Sequence, residues 1–190
     1  MNRYFGELST DAYGMNVDEC KVAHIALTKE QACASDADGL LDGTALGEAV
    51  TTVTEFVNPM PYARNVTIVA SATQTGKATV YGTNIANQPI SEELTINSDT
   101  PVVGAKAFKT VTSVVLPIKA GTETIDLGWG EKIGLPYIMD VKPLAFAMQG
   151  GAIETTAPTL TIDSDKLEKN VIDLNSNLDS TKAVDIYLFM

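Results

Sequence analysis

The chain has 190 residues, 13 Lys and Arg against 24 Asp and Glu, and a net charge of -11 at pH 7. Its two arginines, Arg3 and Arg64, and its scattered lysines form no basic stripe able to neutralise phosphates, which excludes direct nucleic-acid binding as an expectation. Hydrophobic residues make up 45%, enough for a packed core, and charged residues only 19%; Thr, Ser and Asn interleave with Val, Ile and Ala, a texture of pleated strands and turns rather than helices.

From the N-terminus, Met1 to Glu7 carries no apolar h-region, and no apolar run approaches the roughly 18 residues of a membrane span. Synthesis in a reducing cytoplasm is expected, with Cys20 and Cys33 as free thiols. Residues 1–57 read as an extended, largely irregular arm. Val22 to Leu27 suits a short strand, Thr28 to Ala34 has helix-forming composition, Ser35 to Gly43 repeats Asp-Gly turn chemistry, and Thr51 to Phe56 suits a strand stopped by Pro59 and Pro61.

Residues 58–190 read as one β-sandwich domain of antiparallel strands. Asn65 to Ala72 alternates as a half-buried strand. A hairpin-like turn at Gln74 to Lys77 leads into a return strand, Ala78 to Thr83. Glu92 to Asn97 and a long run from Phe108 to Ile118 continue the series, with turns about every ten residues. Thr124 to Leu127 is a short strand before a Gly-rich loop, Gly128 to Pro136. Pro143 to Met148 is a strand, followed by the Gly150-Gly151 turn; Leu160 to Ile162 and Asn170 to Leu174 are weaker ones. The chain closes on an apolar run, Ala183 to Met190, which must pair inside a sheet or bury in a neighbour. The absence of long amphipathic helices after residue 60 excludes α/β architectures. The fold class is all-β.

Chemistry-bearing patterns are sparse. His24 is the single histidine. Cys20 and His24 have metal-like spacing but need further ligands from far away, so no metal or cofactor is expected. Asp36, Asp38, Asp42 and Glu48 invite a calcium reading. The EF-hand register fails, because aligning its glycine on Gly39 puts Ala34 and Ala45 at the first and last ligand positions; a looser ion loop stays open. Gly76-Lys77 lacks the upstream glycine of a P-loop, and Gly128-x-Gly130-x-x-x-Gly134 misses the dinucleotide spacing by one residue. A hydrolase or lyase on this scaffold would rely on carboxylates such as Asp163 and Asp165. Neither they nor Glu92-Glu93 have the pocket context of acid–base catalysis, so no catalytic residue and no enzyme is expected. Interface signals are stronger. Trp129 in its Gly-rich segment suits either a binding hot spot or a cap on the sandwich core. Tyr4, Phe5 and Tyr13 suit anchors on an arm.

The phrases Asn58 to Ile68, Ile90 to Ile96, Ala107 to Pro117, Gly130 to Pro136 and Glu168 to Asn175 resemble capsid decoration (auxiliary head) proteins and related virion proteins of tailed bacteriophages. The resemblance spans residues 58–190 in texture rather than in any catalytic motif. It implies a β-sandwich on the outside of an icosahedral shell, partnered by the major capsid protein and by copies of itself, often as a homotrimer. Its localisation would be the virion. The other expectation in the same class is a tail, baseplate or host-binding virion protein, with sugar binding by exposed loops such as Gly128 to Pro136.

Overall fold

The computed structural model of the chain describes residues 7–9, 13, 16–18 and 20–190. Nearly all regular structure is strand, and every strand pairing is antiparallel, as the composition leads one to expect. A short hairpin, β1 (Glu7–Ser9) and β2 (Asn16–Asp18), precedes the body. The body has three sheets. The first joins β3 (Val22–Leu27) to the C-terminal half of the chain, in the order β13 (Ala152–Ile153), β12 (Leu144–Gln149), β16 (Val184–Phe189), β3. The central sheet runs β14 (Thr159–Thr161), β15 (Val171–Asp173), β11 (Thr124–Gly134), β6 (Arg64–Ala70), β9 (Val102–Phe108), and β4 (Asp36–Ala45) also pairs with β11. The third sheet runs β5 (Thr51–Val53), β10 (Thr110–Leu116), β7 (Thr75–Thr83), β8 (Pro89–Asn97). A 3-10 turn, Leu167–Lys169, leads into β15.

The central sheet serves two large hydrophobic cores, and β11 runs through both; a small third cluster joins Ala63, Ala107 and Val171. In its first half, Ile125, Leu127 and Trp129 pack with Leu40, Val66, Ile68, Val80, Phe108 and Leu116, filling the space toward the third sheet. In its second half, Ile133 joins Leu135, Leu160, Ile172, Val184, Ile186 and Leu188 in the core against the first sheet. The changeover occurs on one edge of β11. Between Thr124 and Trp129 that edge is occupied by β4; at Ile133 and Gly134 it is occupied by β15. The other edge stays with β6, and the register shifts between Trp129 and Ile133. An irregular step of this kind re-aims side chains, which lets one strand feed two cores. At about 1.5–3 kcal/mol per fully buried aliphatic or aromatic side chain, each core is a separate stabilising unit.

Several segments differ from the sequence expectation, each for a traceable reason. Residues 22–53 of the expected arm are built into the body: β3 lies against β16, β4 against β11 and β5 against β10. Ser35 to Gly43 is not a pair of turns, since the Asp and Gly residues sit in β4, whose Leu40 and Leu41 are buried. Gly128 to Gly134 is strand rather than loop. Its glycines answer to crowding: a Cβ on Gly128 would lie 1.8 Å from the Asp36 carbonyl oxygen of the neighbouring strand. Thr28 to Ala34 forms tight turns, with a single Ala32 N–H to Thr28 C=O bond of 2.8 Å, and no helix.

The Gln74 to Lys77 hairpin is also replaced. β6 and β7 belong to different sheets, and the chain crosses between them at Gln74. The buried Gln74 amide secures that corner, donating to the Thr75 and Ile118 carbonyls and accepting from Ala120 N–H at 2.9 Å. The long run from Phe108 to Ile118 is cut at Lys109: Phe108 ends β9, whose Val102–Ala107 stretch was not expected as strand, and β10 lies in a different sheet.

Candidate interaction surface

The first sheet buries one face in the second core and turns the other outward. Along β16, Val184, Ile186 and Leu188 point inward, fully buried, while Asp185, Tyr187 and Phe189 alternate with them on the outer face. Their cross-strand partners share that face: His24 and Val22 on β3, Phe146 and Leu144 on β12, and Ile153 on β13 by way of Met148. Leu144 is 71% exposed, Ile153 64% and Val22 53%. Those three side chains turn this face toward solvent.

The aromatic rings form a ladder across the strands. His24 and Tyr187 stack with centroids 4.6 Å apart and planes 5° apart; Phe146 stacks on the other side of Tyr187 at 4.7 Å, and Phe189 tilts against Phe146 at 5.6 Å. Tyr187 therefore has both ring faces covered by neighbours. A sugar ring or a nucleobase stacks on an open aromatic face, which Tyr187 does not offer. The ladder presents a corrugated apolar surface. At its β3 end, His24 Nε2 meets Asp185 Oδ1 at 2.7 Å.

A second cluster sits inside, where the two cores meet. Arg64 opens β6 and is completely buried. Its Nη1 donates to the Cys33 carbonyl at 3.0 Å and its Nη2 to the Gly130 carbonyl, while Nε carries no hydrogen bond. Burial pulls the guanidinium below its usual range, against the attraction of Glu131 and Asp173. Glu131 spans two segments, accepting from Ser35 N–H at 3.2 Å and Leu178 N–H at 3.0 Å. Burial raises the Asp173 carboxyl, offset in part by Lys132 and Arg64. These bonds join β11, the 33–36 segment and the 176–180 loop, so the arrangement is architectural.

Trp129 belongs to this interior rather than to the surface. It is 7% exposed, packs in the first core, and its Nε1 donates to the Ala34 carbonyl at 3.1 Å. Of the two readings of Trp129, the position fits the core cap and not a side chain held out for a partner. Tyr13 is exposed; Tyr4 and Phe5 lie outside the described residues. Sequence reasoning missed the outer face of the first sheet. Its signal was present, because β12 (LAFAMQ) and β16 (VDIYLF) are apolar on alternating sets of residues on both faces, more than a strand with one wet face requires.

The remaining chemical candidates resolve into local structure. Asp163 accepts from the Asp165 and Lys166 N–H groups at 2.9 and 2.8 Å and pairs with Lys169 at 3.2 Å; the backbone bonds hold its carboxyl below the usual range. It anchors the turn before β15. Asp36 and Asp38 interact on β4, and a hydrogen bond from Asp38 raises the Asp36 carboxyl. Among the described residues no group of three or more His, Cys, Asp or Glu is placed to hold a metal ion. Cys20 and Cys33 are both unpaired, the first exposed and the second half-buried.

No protein-family model matches the chain, and searches of curated proteins and of solved structures return no match either.

Proposed function

We propose that this chain is a structural subunit of a bacteriophage particle, a capsid decoration protein that seats on the outside of the major capsid shell and stabilises it. The observation that carries this reading is the uncovered outer face of the first sheet, where Val22, Leu144 and Ile153 stand exposed beside the aromatic ladder. Contiguous apolar surface on an otherwise acidic chain is costly in water and gains free energy when a partner covers it. Assembly needs no chemistry. Each added contact lowers the energy of the joined state, and contacts repeated over a shell give strong retention through effective concentration. The major capsid protein is the proposed partner, together with other copies of the chain. Tyr4, Phe5 and Tyr13 are proposed as anchors of the leading segment.

The test is loading of purified shells that lack this protein. Intact chain is expected to bind at a stoichiometric copy number. Leu144→Asp, which places a charge on the outer face, is expected to bind at least about tenfold more weakly, equivalent to about 1.4 kcal/mol. Deletion of residues 1–15 should weaken loading while the body stays folded. Equal loading by the Leu144 variant would remove the outer face from the interface. Labelling confined to tails in negatively stained particles would move the protein to the tail or baseplate.

A further inference from the structure

We infer that β3 is a self-pairing edge, and that two copies of this chain join antiparallel through it, β3 to β3, into one continuous eight-stranded sheet. The inference is independent of any role in a phage particle.

An exposed strand edge is a template for another strand, and proteins blunt their edges with charge, proline, bulges, shortness or a covering segment. The other edges described here carry such devices. β1, β2, β5, β13 and β14 are two or three residues long. The β8 and β9 edges are laced together: Glu92 accepts from the Ala105 N–H at 2.7 Å, and Lys106 Nζ donates to the Ser91 carbonyl at 2.6 Å. A following segment straps β4, with Val57 N–H on the Leu40 carbonyl and Asn58 Nδ2 on the Gly39 carbonyl, both at 3.0 Å. β3 runs six residues, VAHIAL, without a carboxylate, lysine, proline, glycine or bulge, and no described strand pairs with its outer side.

Its register accommodates a second copy. Lys21 and Met190 exchange both backbone bonds, at 2.8 and 2.7 Å, which fixes the alternation of the β3–β16 ladder. The N–H and C=O groups of Val22, His24 and Ala26 therefore point outward. These three residues are symmetric about His24. Turned by a two-fold axis at His24, the strand meets itself with every outward donor opposite an outward acceptor, Val22 facing the second copy's Ala26 and Ala23 facing the second copy's Ile25. The seam is small and apolar except at His24, and each copy brings Asp185 to its own histidine. A self-complementary patch on a two-fold axis is the commonest route to a soluble oligomer.

The test is sedimentation equilibrium of the full chain over a concentration series, with amide hydrogen exchange on the same samples. The expected result is a dimer, with Val22, His24 and Ala26 amides growing more protected as concentration rises. The double variant Val22→Lys plus Ala26→Lys puts like charges opposite each other on the exposed face and should be monomeric, with its circular dichroism unchanged. Ile153→Lys, at the far edge of the same face, should still dimerise. Four outcomes would overturn the inference: a monomer in the hundred-micromolar range, a trimer as the sequence resemblance implies, loss of the dimer in the Ile153 variant, or no concentration dependence at those three amides. The last measurement needs no variant to fold.

Discussion

Gly39 and Trp129 face each other across the β4–β11 pair so closely that a Cβ on Gly39 would lie 2.5 Å from both Cη2 and Cζ3 of the indole. The missing side chain on β4 is the space that the tryptophan of β11 fills. Gly39→Ala should therefore destabilise the protein by about 1–3 kcal/mol, since the indole must leave its rotamer or the strands must part. The urea midpoint, followed by Trp129 fluorescence, checks this; an unchanged midpoint would show that the ring moves aside freely.

Arg64 predicts a different kind of loss. Arg64→Met keeps much of the side-chain volume but leaves the Cys33 and Gly130 carbonyls without donors, and Glu131 and Asp173 without their cation. At about 1–3 kcal/mol for each unsatisfied buried acceptor, a destabilisation of about 2–4 kcal/mol is expected from chemical denaturation. Arg64→Lys, with one ammonium for two acceptors, should recover only part of it.

Glu131 is the counterpart on β11. Glu131→Gln keeps the shape but turns an amide NH2 toward one of the two backbone donors it serves, Ser35 or Leu178. A loss of about 1–2 kcal/mol is expected. Amide exchange should quicken at one of those two residues, while Leu127 in the middle of β11 stays protected.

Two carboxyls should act on acid stability with opposite signs. Asp179 is held down to about 2 by Lys182 and by the Thr181 N–H and hydroxyl. A folded-state value below the unfolded one gives stability that is present above about pH 4 and lost as pH falls toward 2. Asp179→Asn should remove that stability at neutral pH and converge with the wild type near pH 2. Asp173 is raised by burial, so its ionised form weighs against the fold. Asp173→Asn should stabilise the protein at neutral pH and lose its advantage as pH falls below the carboxyl range. Thermal melts between pH 2 and 7 check both.

Much of the strand content was legible because alternation survives in β6, while β12 and β16 are short apolar runs bounded by turn residues. Four strands escaped in whole or large part: β9 and β13, and also β4 and most of β11, where two backbones and an indole crowd together and Asp and Gly replace the usual β-branched residues. Turn composition and close packing use the same amino acids, so local chemistry favours the wrong reading there. The partition into sheets was hidden for another reason. Crossing points such as Gln74 and Lys109 resemble ordinary turns, and only the distant partners Ile118 and Ala120 distinguish the first from a hairpin. The candidate surface was half visible, in the apolar C-terminal run, while its partners on β3 and β12 lie far away in sequence.

The route of β11 through both cores has a consequence for synthesis. The first core draws its buried residues from between Leu40 and Trp129, so it can consolidate while the remaining third of the chain is still on the ribosome. The second core waits for Val184, Ile186 and Leu188, and Leu27, made more than 150 residues earlier, waits with them. Until β16 emerges, β3 has an apolar strand's appetite for pairing and no cognate strand to satisfy it. Nascent chains crowded on one message would expose that strand to one another at the moment when mispairing is easiest.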